Sequence, residues 1–179
     1  MKRSHWKAVA VGGAVVGTAG VIAILAGRRS AKAPGPVALI GDSYAVGLGP
    51  ELAKLLPGFR YEGHVGMSTL GWLSCNACGN WLPTFAPDVV LVSLGVNDGT
   101  APISSNYQSV VQRLHGIGAR VVWIEPPAAV NAPSARAVIE SLGVQIMPAQ
   151  VLPMASDQLH PTGAGYQIWA QEIAQVVAT

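Results

Sequence analysis

Two short segments carry side chains that could act together as a nucleophile, its base and an orienting acid. Ser43 ends the turn Gly41-Asp42-Ser43, and Asp157 and His160 stand three residues apart in Asp157-Gln158-Leu159-His160-Pro161. A serine hydroxyl is a poor nucleophile near neutral pH. It needs a base within hydrogen-bonding reach, and the base needs a carboxylate to orient it. Pro161 drives the residue before it out of the helical region, so His160 is expected at the mouth of the last helix rather than inside it. One turn then brings the Asp157 carboxylate to the far imidazole nitrogen. Read alone, Ser43 fits equally well as the N-cap of an ordinary strand-to-helix turn, and Asp157 with His160 as a polar loop before the last helix. The other histidines suit the role less well: His5 precedes an apolar run, His64 ends a strand without an adjacent acid, and His115 lies at a helix end.

These residues need elements to carry them. Residues 37–40 read as a buried strand, and the turn at Ser43 opens a helix to about residue 56 that Pro57 and Gly58 terminate. Residues 59–64 form a weaker, polar strand. The β-branched run 89–94 is the clearest strand and ends in the turn Gly95-Val96-Asn97-Asp98-Gly99. A helix over 106–115, a strand over 120–124 closed by Pro126 and Pro127, a short helix over 134–142 and a strand over 144–147 follow. The last helix spans roughly 162–177, with Tyr166, Ile168, Trp169, Ile173 and Val176 as its inward stripe. This alternation predicts an α/β fold: a doubly wound, flavodoxin-like parallel five-stranded sheet with helices on both faces. Such sheets bind ligands outside the carboxyl ends of their strands, where the turns at Ser43, Gly66 and Asn97 fall.

Four blocks, Gly41-Asp42-Ser43, His64-Val65-Gly66-Met67-Ser68, Gly95-Val96-Asn97-Asp98 and Asp157-Gln158-Leu159-His160-Pro161, present Ser, Gly, Asn and His in that order. From residue 37 to its end the chain resembles the SGNH hydrolases, the GDSL-like esterases and lipases. The resemblance implies a serine esterase with Ser43 as nucleophile, His160 as general base and Asp157 as its orienting acid. It also implies an oxyanion hole built from the Ser43 backbone N–H, the Gly66 backbone N–H and the Asn97 side-chain amide, each donor worth around 3 kcal/mol of barrier. Gly66 and Asn97 are also ordinary turn residues, and Asp42 and Asp98 are expected to organise their loops.

No metal or cofactor is implied. With no long insertion to form a lid or acyl tunnel, the expected site is open and shallow. That suits short acyl or acetyl esters, including esters on cell-envelope carbohydrate. Two alternatives use the same domain: an O-acyltransferase acting on glycans, and a noncatalytic envelope binding module. Trp72 and Trp81 either stack on sugar rings or acyl chains or belong to the core.

Length and composition frame the rest. The 179 residues suit one domain, half of them are hydrophobic, and only 11% are charged. Residues 8–27 carry no charge and are flanked by Lys2, Arg3 and Lys7 before and Arg28, Arg29 and Lys32 after. Residues 1–29 therefore read as an N-terminal signal-anchor or transmembrane helix, 30–36 as a linker and 37–179 as the hydrolase domain. The expected location is membrane-anchored through that helix, with the catalytic domain outside the cytoplasm; the alternative is secretion after signal cleavage near Ala31-Lys32-Ala33. The net charge of +2 sits largely in these flanks, and no basic run points to nucleic acid. Cys75 and Cys78 are either a short-loop disulfide or two reduced thiols. Two thiols with no nearby histidine pair do not make a four-ligand metal site.

Overall fold

The computed structural model describes residues 35–99, 103–130 and 132–178. The apolar run at 8–27, and with it the predicted anchor, lies outside these residues. Among the described residues no helix is long and apolar enough to cross a membrane.

Five strands, β1 (Val37–Gly41), β2 (Arg60–Gly63), β3 (Val89–Ser93), β4 (Arg120–Ile124) and β5 (Gln145–Met147), pair in parallel in the order β2-β1-β3-β4-β5. Among the described residues six helices accompany them: α1 (Ser43–Leu55), α2 (Thr69–Ser74), α3 (Leu82–Phe85), α4 (Ser104–His115), α5 (Pro133–Ser141) and α6 (Gly163–Val177). The central strands are apolar on both faces because both faces are covered. Along β1, Val37 and Leu39 enter the core beneath α1 and α6, while Ala38 and Ile40 enter the opposite core with Trp72, Tyr107, Leu114 and Trp123. Burying a side chain the size of Leu39 contributes about 1.5–3 kcal/mol, so the two layers are held by many such terms. β2 lies at the edge, which explains why Arg60 and Tyr61 can be exposed.

Register sets the level of the loops. Gly41 at the end of β1 pairs with Gly63 of β2 on one side and Ser93 of β3 on the other. The segments after all three strands therefore leave the sheet from one row. Gly41 is required by crowding there: a Cβ would stand 2.3 Å from the Ser93 carbonyl oxygen.

The predicted stripe of α6 needs correction. Its buried residues are Gly165, Trp169, Ala170, Ile173 and Val177, whereas Ile168 is 44% exposed. Trp169, Ile173 and Val177 recur every four residues along one face, and Ile168 lies about 100° around the helix from Trp169. Helices α2 and α3 were not visible as periodic patterns because each is six residues or fewer.

Candidate active site

Ser43 is the first residue of α1. The preceding Asp42 caps the helix, its Oδ1 accepting the Tyr44 backbone N–H at 2.9 Å. The N-cap is thus Asp42 rather than Ser43, which leaves the Ser43 hydroxyl free for another partner. That partner is His160, whose Nε2 lies 2.9 Å from Ser43 Oγ across 117 positions of sequence. On the other side of the ring His160 Nδ1 lies 2.8 Å from Asp157 Oδ2. Standing at the start of α1, Ser43 also sits where unpaired backbone N–H groups and the helix dipole favour negative charge.

The loop holding His160 and Asp157 is built by its own backbone. Asp157 Oδ1 accepts the Leu159 and His160 N–H groups, each at 2.9 Å, and Ala155 N–H donates to the His160 carbonyl at 2.8 Å. A bridge between Met154 and Pro161 closes it. Thr162 then caps α6, its hydroxyl accepting the Gly165 N–H, so His160 stands just outside the helix. Tyr44 supplies a further restraint that sequence reasoning did not identify. Its hydroxyl donates to the Leu159 carbonyl at 3.1 Å, and its ring meets the His160 ring edge-on at 5.8 Å between centroids. Nothing in the local sequence distinguishes Tyr44 from a core aromatic.

The charges are set by these bonds. Asp157 is held down to about 2, first by the His160 backbone N–H, then by the imidazole and by the Leu159 N–H. It therefore stays ionised throughout the neutral pH range. Asp42 moves the other way: burial pushes it up to about 7, against the hydrogen bond from Tyr44 N–H.

The Gly66 and Asn97 segments meet beside this turn. Asn97 Nδ2 donates to the Met67 carbonyl at 3.1 Å and to Asp42 Oδ2 at 3.3 Å, tying the loops after β1, β2 and β3 together. His64 N–H continues the β1–β2 ladder by donating to the Gly41 carbonyl at 3.0 Å. Gly66 has φ of 75° with open space around the position of a Cβ, so its conformation, not crowding, calls for glycine. Asp98 accepts the Thr69 N–H at 2.7 Å and the Thr69 hydroxyl at 2.6 Å, which fastens the start of α2 to the turn after β3. A cleft of about 380 Å³ opens next to this turn, walled by Leu94, Gly95, Val96, Pro126 and Val130, with Glu125 and Trp123 also lining it.

Three other expectations are resolved by contacts. Cys75 and Cys78 form a disulfide. Trp72 is fully buried beneath the Arg113 guanidinium, 4.6 Å from its ring centroid, and belongs to the core; Trp81 donates its Nε1–H to Glu62 Oε2 at 2.6 Å. His64 is not without an acid, because Glu62 Oε1 lies 3.1 Å from its Nε2. Residues two apart on an extended strand share a face, a signal available in the sequence and missed by looking only at immediate neighbours.

No family model and no curated protein sequence matches the chain. Its fold is nevertheless similar to several solved structures. One is the lipase/acylhydrolase from Enterococcus faecalis, with TM-score 0.58 and 19% identity over 80% of this chain and 95% of that one. Another is the C-terminal catalytic domain of peptidoglycan O-acetyltransferase A from Streptococcus pneumoniae, carrying a methylsulfonyl adduct, with TM-score 0.57 and 19% identity over 80% of this chain and 93% of that domain. A candidate GDSL-like lipase from Bacteroides uniformis gives TM-score 0.59 and 14% identity over 81% and 96% of the two chains. At these identities the likeness establishes a shared fold.

Proposed function

We propose that the chain is an SGNH-type serine esterase that hydrolyses carboxylic esters, with short acyl or acetyl groups as the favoured acyl part. What supports the reading is the unbroken run of short contacts from Ser43 Oγ through His160 Nε2 and Nδ1 to Asp157 Oδ2. In the first step His160 takes the Ser43 proton as Oγ attacks the ester carbonyl. Asp157 holds the ring in the tautomer that leaves Nε2 free to accept and stabilises the imidazolium that forms. His160 then gives the proton to the leaving alcohol, and water repeats the sequence on the acyl-enzyme.

The tetrahedral oxyanion is received by the Ser43 and Gly66 backbone N–H groups and by Asn97. For this Asn97 redirects one of its two amide hydrogens, which in the free protein point at the Met67 carbonyl and Asp42 Oδ2. The 8–27 run holds the domain at a membrane outside the cytoplasm, next to acylated envelope glycans.

Hydrolysis of p-nitrophenyl acetate and butyrate tests the assignment. Wild-type turnover should fall by about 10⁴-fold or more in Ser43→Ala and in His160→Ala. Wild-type protein no faster than both variants would remove the esterase reading. Acetyl transfer to a glycan hydroxyl in place of hydrolysis would identify an O-acyltransferase, an activity named for one of the structures with the same fold.

A further inference from the structure

Away from the serine relay, ligand-type atoms converge beside the end of β2. Glu62 Oε1 lies 3.1 Å from His64 Nε2, Cys78 Sγ lies 3.8 Å from the same nitrogen, and the three candidate atoms are all within 4.8 Å of one another. Cys75 Sγ is bonded to Cys78 Sγ and so adds a fourth. We propose that, once the Cys75–Cys78 disulfide is reduced, the chain binds a zinc-class divalent cation through Cys75, Cys78, His64 and Glu62.

The donor set suits such an ion. Zinc accepts thiolate, imidazole and carboxylate at about 2.0–2.3 Å in tetrahedral array, which puts the ligand atoms themselves about 3.3–3.8 Å apart. The separations of His64 Nε2 from Glu62 Oε1 and from Cys78 Sγ are already close to that range. Two cysteines with two residues between them have the usual spacing of a zinc-binding pair. This revises the sequence-based exclusion of a four-ligand site, which lacked Glu62 and counted only histidine pairs.

The carboxylate is also held ready. Glu62 Oε2 accepts the Gly79 N–H at 3.0 Å and the Trp81 Nε1–H at 2.6 Å, which aims Oε1 at His64. Outer hydrogen bonds of this kind are what orient metal ligands. Two thiolates and a carboxylate exceed the charge of a divalent ion by one, and Arg113 stands close by, donating from Nη2 to the Cys78 carbonyl at 2.8 Å. The His64 side chain is 47% exposed, so the cation has a way in although Cys78 is buried.

The oxidised pair has no thiolate to offer, so the disulfide closes the site. A dithiol reductant supplies two electrons and two protons, becoming a disulfide itself and leaving two thiols on the chain. Cation binding then forms two metal–thiolate bonds and releases both thiol protons.

Cobalt(II) titration of the full chain, reduced with dithiothreitol and desalted without air, tests the site. One cobalt per chain should produce thiolate-to-cobalt charge-transfer absorption and the strong visible bands of tetrahedral Co²⁺, and zinc should displace them. The unreduced chain should give neither. His64→Ala, a change at an exposed side chain, should weaken binding by about 10-fold or more and alter the visible bands. Reduced protein with a wild-type far-UV spectrum and no such absorption overturns the proposal, as do bands and affinity unchanged in His64→Ala. Loss of the far-UV spectrum on reduction that Co²⁺ does not restore overturns it too.

Discussion

At the residue scale, two aspartates near Ser43 are pushed in opposite directions, and each has a consequence for stability. Asp157 is depressed to about 2 by hydrogen bonds to its ionised form. Its contribution is present above about pH 4, where the unfolded chain is ionised, and is lost as the pH falls toward 2. Asp42 is raised to about 7 by burial. Between about pH 4 and 7 the folded state holds a proton that the unfolded chain has released, so Asp42 favours folding below about pH 4 and loses that contribution as the pH rises through 7. Thermal denaturation between pH 5 and 8 should therefore show a loss of stability in wild type that is reduced in Asp42→Asn; equal slopes would contradict the assignment. That Ser43, His160 and Asp157 come together was legible in the sequence, because Asp157 and His160 stand one turn apart and Pro161 constrains the histidine. Tyr44 could not be read, since its role depends on a loop more than a hundred positions away; the Asp42 cap is local, two residues from the N–H it accepts, and Ser43 next to it is an equally good cap by residue type.

Elements rather than single residues bring the loops to one place. The pairing of Gly41 with Gly63 and Ser93 puts three strand ends in a row, and α1 and α6 then fix Ser43 and His160 from opposite ends of the sequence. Trp169 is fully buried in the same core cluster as Tyr44, whose ring it meets at 5.6 Å between centroids. Trp169→Ala should cost about 3–5 kcal/mol in urea denaturation, whereas Ile168→Ala, on the outward side, should stay within about 0.5 kcal/mol. Comparable losses from the two would restore the stripe expected from sequence. Strands and long helices were legible because their apolar periods run for several residues. Helices α2 and α3 were not, because their stability comes from the Ser68 cap, the Asp98 bonds to Thr69 and burial of Trp72 and Leu82.

For the whole molecule, the sheet order β2-β1-β3-β4-β5 and the two cores agree with the doubly wound architecture that alternating strands and helices implied. The cleft beside Gly95 and Val96 is assembled from residues on several segments, so a sequence pattern carries little of its shape. The run at 8–27 carries its own prediction. Expressed whole, the chain should remain with membranes after a high-salt wash, and a chain beginning at residue 35 should be released; release of both would contradict anchoring through that run.

A Ser43 activated by His160 should be open to covalent trapping. After exposure to a fluorophosphonate, peptide mass mapping should find the adduct on Ser43 in wild type, with labelling strongly slowed in His160→Ala. An unlabelled Ser43 in folded wild-type protein, or labelling that is as fast without the imidazole, would rule out this role for Ser43 and His160.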